Sequence, residues 1–307
     1  MNESSLTIQT PTSPADRNST HRGGTVTNKI KIIQLGLGPI GLCVSQQILK
    51  KHDASLIAAI DLKPSLQGKD IGLLAKNSAN HVLINSDLTD CIKHHDIDIA
   101  VVCTSSNASI VETQITPLLE AGISVVTTCE ELFYPWKTQP KLASRLNAIA
   151  LQNNVTVLST GVNPGFLMDY LPTAITAISN QVSYIKINRI QDASQRRQSF
   201  QEKIGAGLSP SEFARKKAAG TLRHVGLTES AHFIANQLNW TLTQCEETLK
   251  PVIVDDQILG VQQTVIGYID HEPILELNFI ATTQQQNSED SIHISGSPNM
   301  HINISPP

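Results

Sequence analysis

Aromatic and charged residues are scarce in this sequence. Aromatic side chains account for 4% of the 307 residues and charged side chains for 16%, with a formal net charge of −4. There is no run of basic residues, so charge gives no reason to expect nucleic acid or an anionic membrane as a partner. There is also no apolar stretch long enough to span a bilayer. We therefore expect a globular protein with no nucleic-acid partner and no membrane partner.

Cysteine is sparse as well, and its spacing excludes the common cysteine motifs. There is no Cys-x-x-Cys pair and no metal-ligand spacing among Cys43, Cys91, Cys103, Cys129 and Cys245. This pattern is typical of chains in a reducing compartment, where cysteine serves as a small buried apolar residue. The sequence predicts a cytoplasmic protein and gives no support for a bound metal.

Residues 1–28 lack large apolar side chains almost completely and are rich in Ser, Thr, Asn and Pro. Such a segment cannot offset the entropy lost on ordering by burying apolar surface. It also lacks the apolar core of a secretory signal. We therefore expect a disordered extension, followed by a folded region that begins at residue 29.

The folded region opens with an apolar strand pattern and a glycine-rich turn. The turn has the form Gly-x-Gly-x-x-Gly and includes Gly36, Gly38, Pro39, Ile40 and Gly41. In this motif the glycines permit a tight turn, close approach of a pyrophosphate, and close packing of the next helix. Asp61 ends the next apolar run, 20 residues after Gly41, where a carboxylate accepts hydrogen bonds from ribose hydroxyls. The pattern predicts a site for NAD or NADP rather than an ordinary turn. Asp61 favours NAD, whereas Lys63 can either reach an additional phosphate or be a solvated loop lysine.

Strand and helix patterns alternate from residue 30 to about 160. The predicted strands are 30–35, 56–60, 81–84, 98–103, 123–127 and 155–159. Right-handed crossovers between such strands give a Rossmann-type, doubly wound parallel sheet, so the fold class is α/β. We assign residues 29–165 to a dinucleotide-binding domain.

The alternation changes after about residue 165, which indicates a second domain of α+β type over residues 166–307. The predicted elements are a helix over 167–179, a strand over 182–191, helical pieces within 195–238, and strands near 251–254, 260–269 and 273–282. The polar run 284–288 predicts a hairpin loop. We expect this domain to hold the substrate.

Polar segments follow the fourth and fifth predicted strands, where ligands bind in open parallel sheets. Thr104, Ser105 and Asn107 follow the fourth strand and can bind the cofactor, cap the next helix, or both. Glu130 and Glu131 follow the fifth strand. Burial there would make a carboxylate a usable base, whereas the alternative is a pair of solvated acids at a helix N-terminus.

Further candidates lie in the next loop and in the second domain. Asn163 can hydrogen-bond a substrate or the nicotinamide amide, or can simply form a turn. The candidates for substrate contacts are Phe166, Met168, Arg197 and Lys203. The aromatic and thioether side chains can instead belong to the core, and the two cations to a solvated helix. His224 can reach the cleft, or can be a satisfied structural histidine.

Several of these segments together resemble 2,4-diaminopentanoate dehydrogenase and its relatives, the NAD(P)-dependent amine dehydrogenases, which are distantly related to dihydrodipicolinate reductase. The resemblance covers about residues 29–300 and is carried by 128–132, 160–169, 203–208, and 224–230. It implies reversible oxidation of an amine or diamino acid to a ketone and ammonia by NAD or NADP, without a metal. It also implies a homodimer built through the second domain.

The resemblance assigns the proton-transfer glutamate to Glu130, with Glu131 as the second candidate. The family pattern continues beyond residue 299, so we expect the second domain to be shortened at its C-terminal end. Two alternatives remain. One is a reductase of C=N bonds like dihydrodipicolinate reductase, although the paired histidines and lysine of that family are absent. The other is a protein that binds NAD(P) without catalysis.

Overall fold

The first half of the protein is a parallel sheet with helices on both faces. The structure, a computed structural model, describes residues 29–195, 198–222, 224–284 and 289–305. The strands of this half are β1 (Ile30–Leu35), β2 (Ala54–Ile60), β3 (Ile84–Asn85), β4 (Ile99–Val102), β5 (Ser124–Thr127) and β6 (Val157–Ser159). They are all parallel, in the order β3-β2-β1-β4-β5-β6. This order places a crevice beyond the carboxyl ends of β1 and β4.

The helices of this half are α1 (Pro39–Ile48), α2 (Ile71–Leu74), α3 (Leu88–His94), α4 (Ala108–Glu120), α5 (Pro135–Thr138) and α6 (Pro140–Gln152). Successive residues of β1 point to opposite faces of the sheet, as a strand requires. Ile33 and Leu35 pack into one apolar cluster, and Ile32 packs into the other. Because both faces of the sheet are buried, the strand segments consist of almost continuous apolar residues.

The second half contains a six-stranded mixed sheet with helices on one face. Its elements are α7 (Tyr170–Ile175), β7 (Asn180–Asp192), α8 (Gln198–Lys203), α9 (Pro210–Ala218), α10 (Leu227–Gln237), β8 (Gln244–Val254), β9 (Gln257–Ile269), β10 (Glu272–Thr282), β11 (Asp290–Ser297) and β12 (Met300–Ile304). The strand order is β12-β11-β7-β10-β9-β8, and only the β7–β10 pair is parallel. Leu275, Leu277 and Phe279 of β10 pack into the apolar core of this half.

The opposite face of the second sheet carries a hydrogen-bonded polar network. Glu276 accepts hydrogen bonds from Tyr184 (2.7 Å) and Asn278 (2.7 Å) and forms an ion pair with Lys186 (2.9 Å). Asn278 also donates to Asn188 (3.0 Å). Alternation along β10 therefore separates an apolar face, which packs into the core, from a polar face.

The structure confirms the fold class and corrects several element boundaries. The strand predicted at 81–84 is reduced to β3, because the Asp70 carboxylate accepts hydrogen bonds from the backbone of Leu73, Asn80 and His81 and holds this segment as a loop. The helix predicted at 167–179 begins only at Tyr170, where Asp169 caps it.

The sequence prediction missed β11 and β12 and began β8 seven residues too late. β11 does alternate, with buried Ile292 and Ile294 on either side of exposed His293, so this strand carried a sequence signal that the prediction overlooked. The predicted loop at 284–288 lies mostly outside the described residues. Across the described part of the chain, no helix is both long and apolar enough to cross a membrane.

Candidate active site

The glycine-rich turn between β1 and α1 has the shape that a dinucleotide requires. Gly36 adopts a φ of 81°, in the left-handed region. A Cβ on Gly41 would lie 1.9 Å from the carbonyl oxygen of Gly36, so no larger residue fits there. By contrast, a Cβ added to Gly38 would have no atom within 4 Å apart from its neighbours in the chain. The first-turn amides of α1 border this open space, and the turn therefore fits a cofactor diphosphate.

Asp61 at the end of β2 is held in place by two backbone hydrogen bonds. One carboxylate oxygen accepts from the Leu37 amide at 2.8 Å, and the other accepts from the Lys63 amide at 2.8 Å. A carboxylate has about four acceptor positions, so two remain for ribose hydroxyls. The carboxylate is thus fixed beside the glycine-rich turn in the position that sequence reasoning gave it.

A cleft of about 660 Å³ opens beyond the ends of β1, β4 and β5. Most of the predicted cofactor and catalytic residues line it. They are Gly38, Pro39, Ile40, Thr104, Ser105, Asn107, Glu130 and Glu131, joined by Lys203 and Val225 from the second half of the chain. The cleft therefore lies between the cofactor sheet and the α8 and α10 side of the second sheet.

The polar residues after β4 are largely engaged with α4. Thr104 donates to the side chain of Gln114 at 2.5 Å, and the Ser105 hydroxyl accepts from the Asn107 amide at 3.1 Å. Asn107 caps the helix by accepting from the Ile110 amide at 3.0 Å. These side chains thus shape the loop that lines the cleft.

The two adjacent glutamates have different surroundings. Glu131 accepts hydrogen bonds from the Ala108 amide (2.9 Å) and from the Gln139 side chain (3.0 Å), so it holds the start of α4. Glu130 follows Cys129, whose burial raises the pKa of its thiol to about 12. If Gly226 carried a Cβ atom, that atom would lie 3.2 Å from the Cβ of Glu130. Glu130 therefore stands where the two halves of the protein meet.

The loop between β6 and α7 is tied to α10 by a buried carboxylate. Asp169 accepts from the Gly165 amide (2.9 Å), the Tyr170 amide (2.6 Å) and the Ser230 hydroxyl (2.8 Å). Its burial raises the pKa of the carboxyl group, and these three donors oppose that shift. The loop that carries Asn163 consequently has a defined position against the second half.

The structure places two of the predicted substrate contacts away from the cleft. Met168 is fully buried in the core of the second half, and its sulfur accepts a hydrogen bond from the Asn163 side chain at 3.1 Å. Phe166 is 55% exposed and does not line the cleft. Arg197 lies outside the described residues. Of the four candidates for substrate contacts, Lys203 lines the cleft.

His224 is held more tightly than the sequence indicated. Its ring stacks on Phe279 with a centroid distance of 4.4 Å and an interplanar angle of 19°. Gln263, which is 1% exposed, accepts from the His224 amide (2.7 Å) and donates to the His224 carbonyl (2.9 Å). Sequence reasoning missed Gln263; its one signal is a polar side chain at a core-facing position of an apolar strand.

Burial lowers the pKa of His224 to about 4, and the charges of Arg189 and Lys203 act in the same direction. The Nε2 atom of this ring and the Oδ1 atom of Asn163 are both buried without a hydrogen-bond partner among the described residues. No group of three His, Cys, Asp or Glu side chains in the described ranges is arranged to hold a metal ion.

Comparisons with known proteins relate the second half of the chain to a dehydrogenase family and the first half to a reductase family. Residues 166–307 match the family described as the 2,4-diaminopentanoate dehydrogenase C-terminal domain, and residues 30–129 match the dihydrodipicolinate reductase N-terminus. The chain is 27% identical over 303 residues to a 2,4-diaminopentanoate dehydrogenase of Acetoanaerobium sticklandii, covering 91% of this chain and 84% of that protein.

Solved structures with similar folds include an amine dehydrogenase from Mycobacterium smegmatis, with a TM-score of 0.79 and 18% identity. The match covers 90% of this chain and 86% of the other. A biliverdin reductase from Synechocystis, solved with biliverdin and NADP+, has a TM-score of 0.58 and 13% identity, covering 90% and 79% of the two chains. At these identities the likeness establishes the fold alone, which is a parallel sheet with helices followed by a second, mixed sheet.

The low pKa of His224 predicts acid-dependent stability. The folded protein holds this ring neutral down to about pH 4, whereas the unfolded ring titrates at 6.5. Between these values the unfolded state binds the proton more readily, so the stabilisation by neutral His224 is present above pH 6.5 and is lost as the pH falls towards 4. On lowering the pH from 7 to 4, the free energy of unfolding should fall by up to about 3 kcal/mol more in the wild type than in His224→Phe. Urea unfolding across this pH range measures the difference, and parallel curves would contradict the prediction.

Proposed function

Because the chain belongs to the 2,4-diaminopentanoate dehydrogenase family of NAD(P)-dependent amine dehydrogenases, we propose that it catalyses reversible oxidative deamination. The substrate is an amine or a diamino acid like 2,4-diaminopentanoate, and the products are a ketone and ammonia. The observation that carries this proposal is the position of Glu130. It lies in the same cleft as the glycine-rich turn and next to the loop that contains Asn163.

When bound, NAD(P)+ would supply the acceptor for a hydride from the carbon that bears the amine. The substrate is left with a C=N bond, to which water adds. Glu130 takes a proton from that water as it attacks and returns the proton to the nitrogen. It then takes the remaining hydroxyl proton as ammonia leaves and the C=O bond forms. Asn163 orients the substrate by a hydrogen bond. Asp61 and the first turn of α1 hold the cofactor.

Replacement of Glu130 tests this assignment. Glu130→Gln removes the proton acceptor while keeping the shape of the side chain, so amine-dependent reduction of NAD(P)+ should fall about 100-fold or more. Binding of the reduced cofactor, followed by its fluorescence, should remain unchanged. Glu131→Gln is the matched control, since Glu131 holds α4, and it should lower stability more than turnover.

Deamination that continues undiminished in Glu130→Gln would reject Glu130 as the base. If the wild-type protein oxidises none of the amines tested, two further results distinguish the alternative functions. Reduction of a cyclic imine would favour a C=N reductase like dihydrodipicolinate reductase. Cofactor binding without any turnover would favour a non-catalytic NAD(P)-binding protein.

We expect Asp61 to determine the choice between NAD and NADP. Its carboxylate is fixed by Leu37 and Lys63 and would repel a phosphate on the adenosine ribose. Asp61→Ser should raise kcat/KM with NADP, relative to NAD, about tenfold or more, since one close charge repulsion of this kind is worth more than ~1 kcal/mol. Lys63→Ala is the control: a loss of activity with NADP alone would show that this lysine binds the additional phosphate.

The proposal includes a homodimer that pairs the polar faces of two second sheets. By alternation along β10, Ile280 lies on that face with Glu276 and Asn278, and it is only partly buried. Light scattering should give a mass about twice the 33.3 kDa of one chain. Ile280→Arg should yield monomers, whereas Leu151→Arg, at an exposed position of α6, should not. A monomeric wild type, or a dimeric Ile280→Arg variant, would exclude this interface.

Within this proposal, residues 29–165 hold the cofactor and residues 166–307 hold the substrate and form the dimer. The five cysteines are all free, which accords with the cytoplasmic location expected from the sequence. The position of Lys203 and Val225 on the wall of the cleft supports a substrate role for the second half.

A further inference from the structure

The polar face of the second sheet carries two histidines that contact each other. His293 of β11 and His301 of β12 stand directly opposite in the antiparallel register, and both are exposed. Their Nδ1 atoms lie 2.8 Å apart, and their ring centroids lie 3.9 Å apart. Two imidazole nitrogens at this distance share one hydrogen, which one ring donates and the other accepts. The fold thus brings two nitrogen atoms together at a place that solvent can reach.

Alternation along β11 puts this pair on the side of the sheet that faces away from the cleft. Ile292 and Ile294, the neighbours of His293 in the chain, are buried in the apolar core of the second half. Successive side chains of a strand point to opposite faces, so His293 points away from that core. A ligand bound by the pair would therefore touch neither the cofactor nor the substrate.

The charges next to the pair leave it open to a cation. Lys186 of β7 stands beside His293 in the register, and its ammonium group forms an ion pair with Glu276 at 2.9 Å. The carboxylate of Glu276 thus offsets the charge of the lysine. Partial burial and the charges of His301 and Lys186 lower the pKa of His293. These surroundings favour the neutral ring, which is the form that coordinates a metal ion.

The spacing of the two nitrogens matches that of a metal chelate. Imidazole nitrogens bind a divalent transition metal at about 2.0–2.1 Å, so two of them at a right angle around one ion lie about 2.9 Å apart. The separation of 2.8 Å is close to this value, and rotation of the two exposed rings turns both lone pairs towards one ion. Imidazole suits Cu²⁺, Ni²⁺ and Zn²⁺, and right-angled positions are typical of Cu²⁺ and Ni²⁺.

We propose that His293 and His301 form a two-histidine chelate for a divalent transition-metal ion of the class Cu²⁺, Ni²⁺ and Zn²⁺. The rings supply two neighbouring positions, and water fills the others, since no third His, Cys, Asp or Glu among the described residues completes the set. The ion replaces the shared hydrogen and ties β12, the edge strand, to β11. This site is independent of the proposed function.

Calorimetric titration of tag-free protein with nickel chloride tests the chelate, and one ion should bind per chain. His293→Ala and His301→Ala should each weaken binding about tenfold or more, because a single exposed imidazole loses the advantage of a second ligand held beside it. The double variant should be no weaker than either single variant.

The matched control replaces another pair of histidines. His94 and His95 are adjacent in the chain, but the Nδ1 atom of each contacts a backbone carbonyl oxygen of α3, at 2.9 Å and 3.0 Å. The variant with both His94→Ala and His95→Ala should therefore bind nickel as the wild type does. Nickel at saturation should raise the midpoint of thermal unfolding in the wild type and in this control, and should leave it unchanged in His301→Ala.

Proton NMR of the wild-type protein gives a readout that requires no variant to fold. Paramagnetic Cu²⁺ at a tenth of the protein concentration should broaden the ring signals of His293 and His301 together, before those of the other histidines. The signals are assigned from their connectivity to the backbone.

Three results would overturn the chelate. The first is the absence of saturable nickel binding to the wild type. The second is binding that survives unchanged in His293→Ala or His301→Ala, with copper broadening other histidines first. The third is a ratio of one ion to two chains, which would assign the ligands to two copies of the protein.

Discussion

The contact between Pro164, Gly226 and Glu130 is the constraint on which the candidate site depends. Glycine at position 226 adopts a left-handed φ and leaves the space that the Pro164 ring fills, with Glu130 beside it. Any side chain there would push apart the cofactor sheet, the loop after β6 and the entry to α10. Because Glu130 and Asn163 come from one half and His224 from the other, their mutual positions depend on this close approach.

The sequence allowed the cofactor half of the site to be predicted because its interactions are local or depend on simple spacing. The glycine-rich turn needs only the residues between β1 and α1, and Asp61 follows from the length of one βαβ unit. Asn107 caps α4 as predicted, since its partner Ile110 lies three residues away. The doubly wound parallel sheet likewise follows from the alternation of patterns and the handedness of crossovers.

The substrate half could not be predicted in the same way, because its contacts join distant residues. Gln263 meets His224 across 39 positions, and Ser230 meets Asp169 across 61. Sequence patterns also could not separate Glu130 from Glu131. Their roles differ only because Ala108 and Gln139 lie within reach of Glu131 in the folded chain. Similarly, Met168 and Phe166 are two residues apart, yet one is buried in the core and the other is exposed.

Charge in the cleft bears on the form in which a nitrogen substrate can react. Lys203, which lines the cleft together with Glu130, would repel an ammonium ion bound there. A neutral amine avoids that repulsion, and it is also the form from which a hydride leaves readily, because the nitrogen lone pair can stabilise the developing positive charge. An ammonium ion that enters from water must therefore lose a proton, for which the adjacent carboxylate of Glu130 is the natural acceptor. Lys203 and Glu130 thus serve one requirement, which is to hold the reacting nitrogen in its uncharged state.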